Sequence, residues 1–351
     1  MKGRYHQRGD KWLHINQIVR DHKIGILALQ ETHLSKLEED LINQVFQDRL
    51  HMISSLDPSA PNAKGVAIVI NKQLTNWKGI QTFELIPGRA ILTKLPWHKD
   101  EYLTILNIYT PNESSTNAEF WDQLSLELET TPKPGILLGD FNLVEDALDR
   151  LPPHTDASRA TEALAKLKTT LSLVDGWRTE NPDSTAFTFS QSRAQGGAQS
   201  RIDRIYLKRD ALIFSKEWYI RPSGIHTDHQ IISARISDHR MPYIGKGRWS
   251  LPLFVLKDKG VSNKILSLGK VLQKQIDCDR QLQPRSETDN PQTALKSFKN
   301  AVISMCRGAA KEAIPKIQRK MNNIKSNLKT VLNDKSLSEE EKQYTGFELQ
   351  E

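Results

Sequence analysis

The sequence has almost no cysteine, since Cys278 and Cys306 are the two among 351 residues. Two thiols cannot complete a zinc site by themselves. Long apolar runs are missing as well. No stretch approaches the roughly 20 apolar residues of a membrane helix, and the charged residues after Met1 precede no apolar segment. The sequence therefore predicts no membrane span and no secretory signal, and a reduced compartment is the simpler interpretation.

A surplus of acidic residues is also lacking, and the formal net charge is +7. This charge is unevenly distributed. Residues 241–351 carry 20 Lys and Arg against 12 Asp and Glu, whereas residues 1–240 carry 29 against 30. A near-neutral body with a basic C-terminal region predicts that this region binds a polyanion. For any single lysine, a solvated helix surface is the structural alternative.

Enough apolar residues are present for a sizeable core, since they make up 38% of the chain. Over the first 240 residues, short runs rich in Val, Ile and Leu alternate with helical stretches, which is typical of a layered α/β protein. We predict a domain over 1–240, a linker rich in Pro and Gly over 241–260, and a basic helical region over 261–351. The predicted strands are 24–29, 65–71, 89–95, 103–109, 135–138, 187–190, 201–208 and 231–236, and the predicted helices are 10–23, 117–129, 158–171, 261–332 (interrupted at 284–291) and 336–342.

Polar residues stand at the ends of several of these strands, where a buried strand holds its last side chain at the rim of a core. Each has a structural explanation when taken alone, such as a helix cap or an Asx turn. Together they form a set of acids, an amide, a phenol and a histidine that suits metal-assisted attack of water on a phosphodiester. The members of the set are Glu31, Tyr109, Asp140, Asn142, Asp203, Asp228 and His229.

The chemistry of the reaction suggests a role for each residue type. A phosphodiester repels hydroxide, so the site needs a cation, and Mg²⁺ prefers one or two carboxylates with substrate oxygens and water. We predict Glu31 as a ligand of Mg²⁺, with Mn²⁺ as the alternative ion. His229 can act as a base or stabilise the phosphate if Asp203 orients its second nitrogen. Asp140 and Asn142 can orient water and phosphate, while Tyr109 can donate to a phosphate oxygen or assist the leaving group.

At these residues the sequence resembles the endonuclease/exonuclease/phosphatase superfamily, which includes deoxyribonuclease I. The motifs that carry the resemblance are LALQETH (27–33), LNIYTPN (106–112), LLGDFNLV (137–144), SRIDRIYL (200–207) and TDHQII (227–232). They follow the family's order over about residues 5–237. The resemblance implies a four-layered α/β sandwich of two packed sheets flanked by helices, followed here by the helical C-terminal region.

The same resemblance implies the site. Glu31 and Asp228 are expected on the metal side. Thr188 is expected to face the DNA strand, and we add Arg201 as a contact to nucleic acid. The residues expected to be catalytic are Tyr109, Asp140, Asn142, Asp203 and His229.

Within the superfamily, the start of the chain and the stretch 245–252 resemble the endonuclease domain of LINE-type non-LTR retrotransposons. The nuclease of such elements nicks target DNA, and the exposed 3′-hydroxyl primes reverse transcription. The resemblance implies DNA as substrate and a nuclear location. Element RNA is a further expected partner, through basic helices that include Lys316 and Lys320. A lost or separate reverse transcriptase domain is also expected, because no polymerase motif occurs in the sequence.

The sequence departs from the family at its start, where the family's first strand and the asparagine at its end are not found. We therefore expect an N-terminally truncated nuclease with impaired activity, because an inner strand and an amide of the site are lost. The alternatives are a catalytically inactive nucleic-acid-binding remnant, a phosphatase of the same superfamily, and a repair endonuclease. Mg²⁺-dependent nicking separates the nuclease from the inactive remnant.

Overall fold

The computed structural model describes residues 5–6, 9–57, 59, 64–97, 100–191, 196–225, 227–237, 249, 251–282 and 286–350. The chain divides into two compact units. The first combines Met1–Gly245 with Asn327–Glu351, and the second is Lys246–Ser326. The predicted division into a domain, a linker and a helical region stays a prediction, and the last 25 residues of the chain lie with the first unit.

The elements follow one another in an order of mixed strands and helices. The strands are β1 (Tyr5–His6), β2 (Gly9–Asp10), β3 (Ile26–Gln30), β4 (Leu50–Ser55), β5 (Val66–Asn71), β6 (Gln81–Ile86), β7 (Ala90–Pro96), β8 (Tyr102–Tyr109), β9 (Ile136–Asp140), β10 (Arg150–Leu151), β11 (Leu173–Asp175), β12 (Phe189–Ser190), β13 (Gln199–Ser200), β14 (Asp203–Lys208), β15 (Ser215–Pro222) and β16 (Gln230–Ile236). The helices are α1 (Lys11–Asp21), α2 (Lys36–Val45), α3 (Ser114–Glu127), α4 (Ser158–Leu171), α5 (Gly176–Glu180), α6 (Leu253–Lys257), α7 (Lys259–Leu282), α8 (Pro291–Asn333) and α9 (Glu339–Gln350).

Two groups of strands form the sandwich of the first unit. The larger sheet has six strands in the order β11-β14-β9-β8-β7-β6. Facing it are β3-β5-β4 and the hairpin β15-β16. The strands β8 and β9 run parallel and are joined through α3, while β14 and β9 are antiparallel. The small sheet β10-β13-β12 has strands of two residues each.

Side-chain alternation builds the two central layers. In β5, Val66, Ile68 and Ile70 point into the core between the sheets, whereas Ala67 and Val69 point to the opposite side. Both sides of this strand are buried, and its first five residues are therefore all apolar. The same alternation in β7 and β8 supplies the core between the sheets from the other side.

Amphipathic helices form the outer layers. Trp12, Ile15 and Val19 of α1 are spaced as one helical face and pack with Ile42 of α2 against the outer side of β5. On the far side of the sandwich, α3 and α4 cover the six-stranded sheet, and Trp121 of α3 is fully buried there. The order helix, sheet, sheet, helix is the four-layered sandwich that the sequence predicts.

Most of the predicted elements are confirmed with small shifts at their ends, and the helix predicted over 158–171 is α4 itself. The structure adds elements that the sequence reading left out. One is α2, whose start is marked by a capping box between Ser35 and Glu38. Another is β15, which pairs with β16. The predicted linker over 241–260 lies largely outside the described residues, and its final part contains α6. Among the helices that are described, none is both long and apolar enough to cross a membrane.

Candidate active site

Three of the predicted site residues stand side by side on three neighbouring strands. Tyr109 ends β8 and is level with Asp140, which ends β9. Asp140 is in turn level with Asp203, the first residue of β14. These residues are 31 and 63 positions apart in the sequence, and the strand register brings them into one row at the edge of the sheet. All three are largely buried, with 5% of Asp140 exposed.

Glycine allows β9 to approach β8 at this point. Gly139 has φ of +139°, and a Cβ atom there would lie 2.0 Å from the carbonyl oxygen of Ile108. No L side chain fits this space, and the backbone conformation also favours glycine. The glycine of the GDFN motif is therefore required for the position of the aspartate that follows it.

A histidine joins the row from the opposite sheet. The Nδ1 atom of His229 donates to Oδ2 of Asp203 at 2.8 Å. The ring of Phe189 lies 4.9 Å from the imidazole, centroid to centroid, and the backbones of the two residues form a β-bridge. The side chain of His229 is 29% exposed, so the ring is held on one side by the protein and reaches solvent on the other.

Burial and neighbouring charges shift the pKa values of Asp140 and His229. Burial raises the pKa of Asp140, and the charge of Asp203 raises it further. Burial alone would lower the pKa of His229, but the charge of Asp203 and the hydrogen bond to it outweigh this effect and raise that pKa to about 9. At neutral pH the imidazole is therefore positively charged. It can act as a donor to an anion rather than as a base.

Glu31 follows β3 and faces Tyr109 across the site. The hydroxyl of Tyr109 donates to Oε1 of Glu31 at 2.6 Å. Burial raises the pKa of Tyr109, and the bond to Glu31 adds to this, so the phenol stays protonated. Glu31 has a φ of +51°, a left-handed conformation that is uncommon for a side chain other than glycine, asparagine or aspartate. Such strain is often found at functional sites, where the surrounding structure maintains it.

The turn after β9 is held by side-chain amides. The backbone N–H of Asn142 donates to Oδ1 of Asp140 at 3.0 Å, and its side-chain amide donates to the carbonyl of Thr110 at 2.9 Å. Asn117, on α3, donates to the carbonyls of Pro111 and Phe141 at 2.9 and 3.0 Å. These bonds join the loop after β8 to the turn after β9.

The carboxylates of Asp140 and Asp203 lie close enough to share a cation, with the imidazole of His229 beside them. Ligand atoms of Asp140, Asp203 and His229 lie within 4.8 Å of one another. The carboxylate oxygens suit a hard divalent cation, whose charge would also offset the repulsion that raises the pKa of Asp140. The predicted metal ligands Glu31 and Asp228 are not members of this group of three. Glu31 is near enough for its charge to raise the pKa of Asp140.

Asp228 lies at the outer edge of the site. It is exposed, and its backbone carbonyl accepts from the N–H of Ser190 at 3.3 Å. Its charge contributes to the raised pKa of His229. Asp228 is not a member of the group of three, and its predicted role as a metal ligand stays a prediction.

The sequence profile of the Endonuclease/Exonuclease/phosphatase family matches residues 7–239, which is about two thirds of the chain. The chain belongs to this family. By this resemblance it is a metal-dependent hydrolase, and the match ends where the sandwich of the first unit ends.

Known relatives of this family member include a transposon protein. The chain is 33% identical over 185 residues to an uncharacterized 149 kDa protein of transposon TX1 from Xenopus laevis. The matching part is 52% of this chain and 14% of that protein, so the chain spans a small part of its relative.

Two solved structures share the fold. The 3′-5′ exonuclease NExo from Neisseria meningitidis is 20% identical, with a TM-score of 0.52 over 64% of this chain and 94% of that one. The apurinic/apyrimidinic endonuclease LMAP from Leishmania major is 18% identical, with a TM-score of 0.52 over 63% and 80%. These similarities confirm the predicted α/β sandwich.

Two residues that we predicted to contact nucleic acid lie inside the protein. Thr188 is fully buried, and its hydroxyl accepts from the backbone N–H of Asp203 at 3.0 Å. Arg201 is 2% exposed, and its guanidinium binds both carboxylate oxygens of Asp149 at 2.6 and 2.7 Å and Asp175 at 2.8 Å. Neither side chain presents a donor to a phosphate. Their surroundings correct the prediction and assign both to holding β14 in place.

The two predicted contacts in the C-terminal region are different. Lys316 and Lys320 are exposed on α8. They remain candidates for binding nucleic acid.

Three residues that support the site were missed by the sequence reading. Asn107 is fully buried in β8, and its amide donates to the carbonyls of Leu29 and Ala67 in the opposite sheet at 3.2 and 2.9 Å. Arg89 donates to the carbonyl of Tyr109 at 3.0 Å and lies against its ring. Asn117 holds the two loops described above. An amide within the apolar run of β8 was the available signal for Asn107, whereas Arg89 and Asn117 are the first residues of a predicted strand and a predicted helix, where polar residues are common.

Proposed function

We propose that this chain is a divalent-metal-dependent endonuclease that hydrolyses phosphodiester bonds of DNA, of the kind found in non-LTR retrotransposons. The observation that carries the proposal is the row of Tyr109, Asp140 and Asp203, with His229 hydrogen-bonded to Asp203. Family membership and the transposon relative support it.

The charge of each side chain determines its proposed role in the reaction. The imidazolium of His229, oriented by Asp203, donates to a phosphate oxygen and stabilises the negative charge that develops there. Burial raises the pKa of Asp140 to about 8, close enough to neutral pH for the ionised fraction of this carboxyl to accept a proton from the attacking water. Asn142 fixes the carboxylate of Asp140 through its backbone N–H. In this structure Tyr109 donates to Glu31 and so holds that carboxylate in position.

A divalent ion, which we propose to be Mg²⁺, would be held by Glu31 together with the carboxylates of Asp140 and Asp203. It would neutralise the charge of the phosphate when bound. The donor set of carboxylate oxygens favours Mg²⁺ or Mn²⁺ over softer metals.

Nicking of supercoiled plasmid in the presence of Mg²⁺ tests the proposal. We expect the chain to nick DNA, and we expect chelation of the metal or the variant His229→Ala to abolish nicking. His154→Ala is the matched control, because His154 is exposed and its ring contacts Arg150 and a backbone carbonyl of its own loop. Equal activity of His229→Ala and His154→Ala would contradict the assigned site.

The edges of two strands, β3 and β16, border the site. Within the described part of the chain, β3 has one neighbour, β5, and β16 has one neighbour, β15. All five residues of β3 are half-exposed although four of them are apolar. Side chains of both strands, including Ile26 and Ile232, pack onto the same interior cluster. An extended segment between these edges would lie alongside both strands and cover their apolar side chains.

We propose that an extended segment paired between β3 and β16 raises the rate of the nuclease. The test is to fuse an apolar β-strand ending in asparagine before Met1 and to compare nicking rates. We expect a gain of at least tenfold, which is the effect of about 1.4 kcal/mol on the barrier. A matched fusion with the strand residues scrambled should give no gain. Equal rates for both fusions and the parent chain would refute the proposal.

The second unit supports a further contact. Helix α8 carries nine Lys and Arg against one Glu, and Lys316 and Lys320 are exposed on it. We propose that this helix binds nucleic acid, with the RNA of an element as the partner, through phosphates rather than base edges. A DNA substrate further implies that the protein acts in the nucleus, which microscopy of a tagged chain tests.

A further inference from the structure

The C-terminal end of α8 belongs to the first unit and packs against β10 and the segment before β12. Leu332 is 4% exposed and forms a cluster with Leu151 of β10 and with Phe187, while Leu328 lies at its edge. The side chain of Asn333 accepts a hydrogen bond from the backbone N–H of Thr185 at 3.1 Å. Residues separated by about 150 positions are therefore joined by both apolar and polar contacts.

Helix α9 approaches the same small sheet. Gly346 is buried, and a Cβ atom at this position would lie 3.2 Å from Nε2 of Gln199 in β13 and 3.3 Å from Cδ2 of Leu332. Gln199 is fully buried and pairs with Leu151 of β10 and Ser190 of β12. Helix α9 can come this close to β13 because residue 346 has no side chain.

The small sheet β10-β13-β12 cannot be stable by itself. Its strands have two residues each, and a sheet of this size has too few ladder hydrogen bonds and too little apolar surface. Its order must come from packing against other elements. Leu328, Leu332 and Gly346 supply part of that packing.

The small sheet and the residue before it contact Asp203 and His229, the catalytic pair. The hydroxyl of Thr188 accepts from the N–H of Asp203 at 3.0 Å, and its carbonyl accepts from the N–H of Gln230 at 2.6 Å. The ring of Phe189, the first residue of β12, contacts the ring of His229. The positions of Asp203 and His229 therefore depend on the segment that contains Thr188 and Phe189.

We propose that residues 327–350, the C-terminal segment, form a positioning element of the nuclease site. By packing on β10 and β13, the segment keeps Thr188 and Phe189 in place beside Asp203 and His229. The effect on catalysis rests on the proposed function, whereas the effect on the order of the small sheet does not. The segment holds the site through β12 and touches neither substrate nor metal.

Hydrogen exchange and kinetics of the full chain test this role. In Leu332→Ala, we expect the amides of residues 187–190, 199–203 and 230 to exchange at least tenfold faster than in the parent chain. Ile317→Ala is the matched control, because Ile317 lies on the same helix and is 44% exposed. Leu332→Met, which keeps the volume and apolar character, should restore slow exchange.

Nicking kinetics well below the melting temperature give a second measurement. We expect kcat of Leu332→Ala to fall about tenfold with KM unchanged, because the catalytic pair loses its position while DNA contacts remain. If the parent chain nicks no DNA, the proposed function fails, and exchange alone then decides the positioning role. Unchanged exchange at residues 187–190, 199–203 and 230, together with an unchanged kcat, would overturn the proposal.

A glycine pair serves if Leu332→Ala does not fold. Gly346→Leu inserts a side chain between α9 and β13, whereas Gly308→Leu on α8 has no heavy atom within 4 Å of its new Cβ. We expect Gly346→Leu to accelerate exchange of the same amides and Gly308→Leu to leave it unchanged. Equal exchange in both variants contradicts the proposal.

Discussion

The charge of His229 at neutral pH depends on the carboxylate of Asp203. Burial lowers the pKa of His229, and the negative charge of Asp203 raises it. The variant Asp203→Asn removes that charge, so we expect the pKa of His229 to fall from about 9 to about 7 or below. Titration of the imidazole by NMR in the absence of metal measures this change. A pKa that stays near 9 would show that Asp203 is not the main cause.

The same pKa has a consequence for stability. Because the folded pKa of His229 is raised above its ordinary value of about 6.5, the contribution of the ion pair is complete below about pH 6.5. This contribution is lost as the pH rises through about 9. Denaturation of the parent chain and of Asp203→Asn at pH 6 and pH 10 should show a larger loss in the parent chain.

Asn117 joins four neighbouring residues through its side-chain amide. Its NH2 group, which has two hydrogens, lies within 3.0 Å of acceptor oxygens of Thr110, Pro111 and Phe141, and its carbonyl accepts from the indole N–H of Trp121 at 2.7 Å. Asn117→Ala leaves the indole without this partner and loosens both loops. We expect a loss of about 2–3 kcal/mol in the free energy of unfolding and a lower nicking rate.

Urea denaturation and plasmid nicking measure these two effects. Glu119→Ala is the control for Asn117→Ala, since Glu119 is exposed on the same helix and should change the free energy of unfolding by less than about 0.5 kcal/mol. An Asn117→Ala protein as stable and active as Glu119→Ala would contradict the assigned role.

At the scale of elements, a buried ion network joins β14 to its surroundings. Arg201, just before β14, binds Asp149 with two hydrogen bonds and also binds Asp175, the N-cap of α5. Arg178 of α5 adds a further bond to Asp149. The network fixes the start of β14, and with it the position of Asp203, which lies two residues further along.

We expect Arg201→Met to lower the free energy of unfolding by about 3–5 kcal/mol, because it removes the guanidinium that binds both oxygens of the buried Asp149 carboxylate and also pairs with Asp175. Arg235→Met is the control, since Arg235 pairs with Glu217 on the surface and its loss should change stability by about 1 kcal/mol or less. Similar losses for both variants in urea denaturation would be inconsistent with a structural role of the buried pair.

The network also predicts that the protein loses stability at acid pH. Burial alone would raise the pKa of Asp149, but hydrogen bonds and charge from Arg201 outweigh it and hold that pKa below its ordinary value. A lowered pKa contributes stability above about pH 3.9, and this contribution is lost as the pH falls further. The acid-side loss of stability should therefore be smaller in Arg201→Met than in the parent chain.

For the whole molecule, the uneven charge predicts how binding responds to salt. If Lys316 and Lys320 each contact a phosphate, replacing both with glutamine should reduce the slope of log affinity against log salt by about 2. Filter binding to RNA over a range of salt concentrations measures this slope. Arg159→Gln with Lys166→Gln on α4 removes the same charge from exposed positions and serves as the control. Equal slopes for both double variants would exclude α8 as the contact.

Local sequence determined much of this protein. The alternation in β5 and β8, the helical spacing of Trp12, Ile15 and Val19, and the glycine before Asp140 each specify their own conformation, because these patterns act within a few residues. The polar residues at the strand ends also identified the members of the row, since a polar side chain after an apolar strand lies at the edge of a core.

The tertiary structure decided what depends on distant contacts. It set the register that aligns Tyr109, Asp140 and Asp203, and it enclosed Thr188 and Arg201 in the interior instead of at a nucleic-acid surface. It also placed the end of the chain against β10 and β13. Nothing in the local pattern of an arginine or a leucine says which buried partner it will meet, because that choice is made by packing between elements far apart in the sequence.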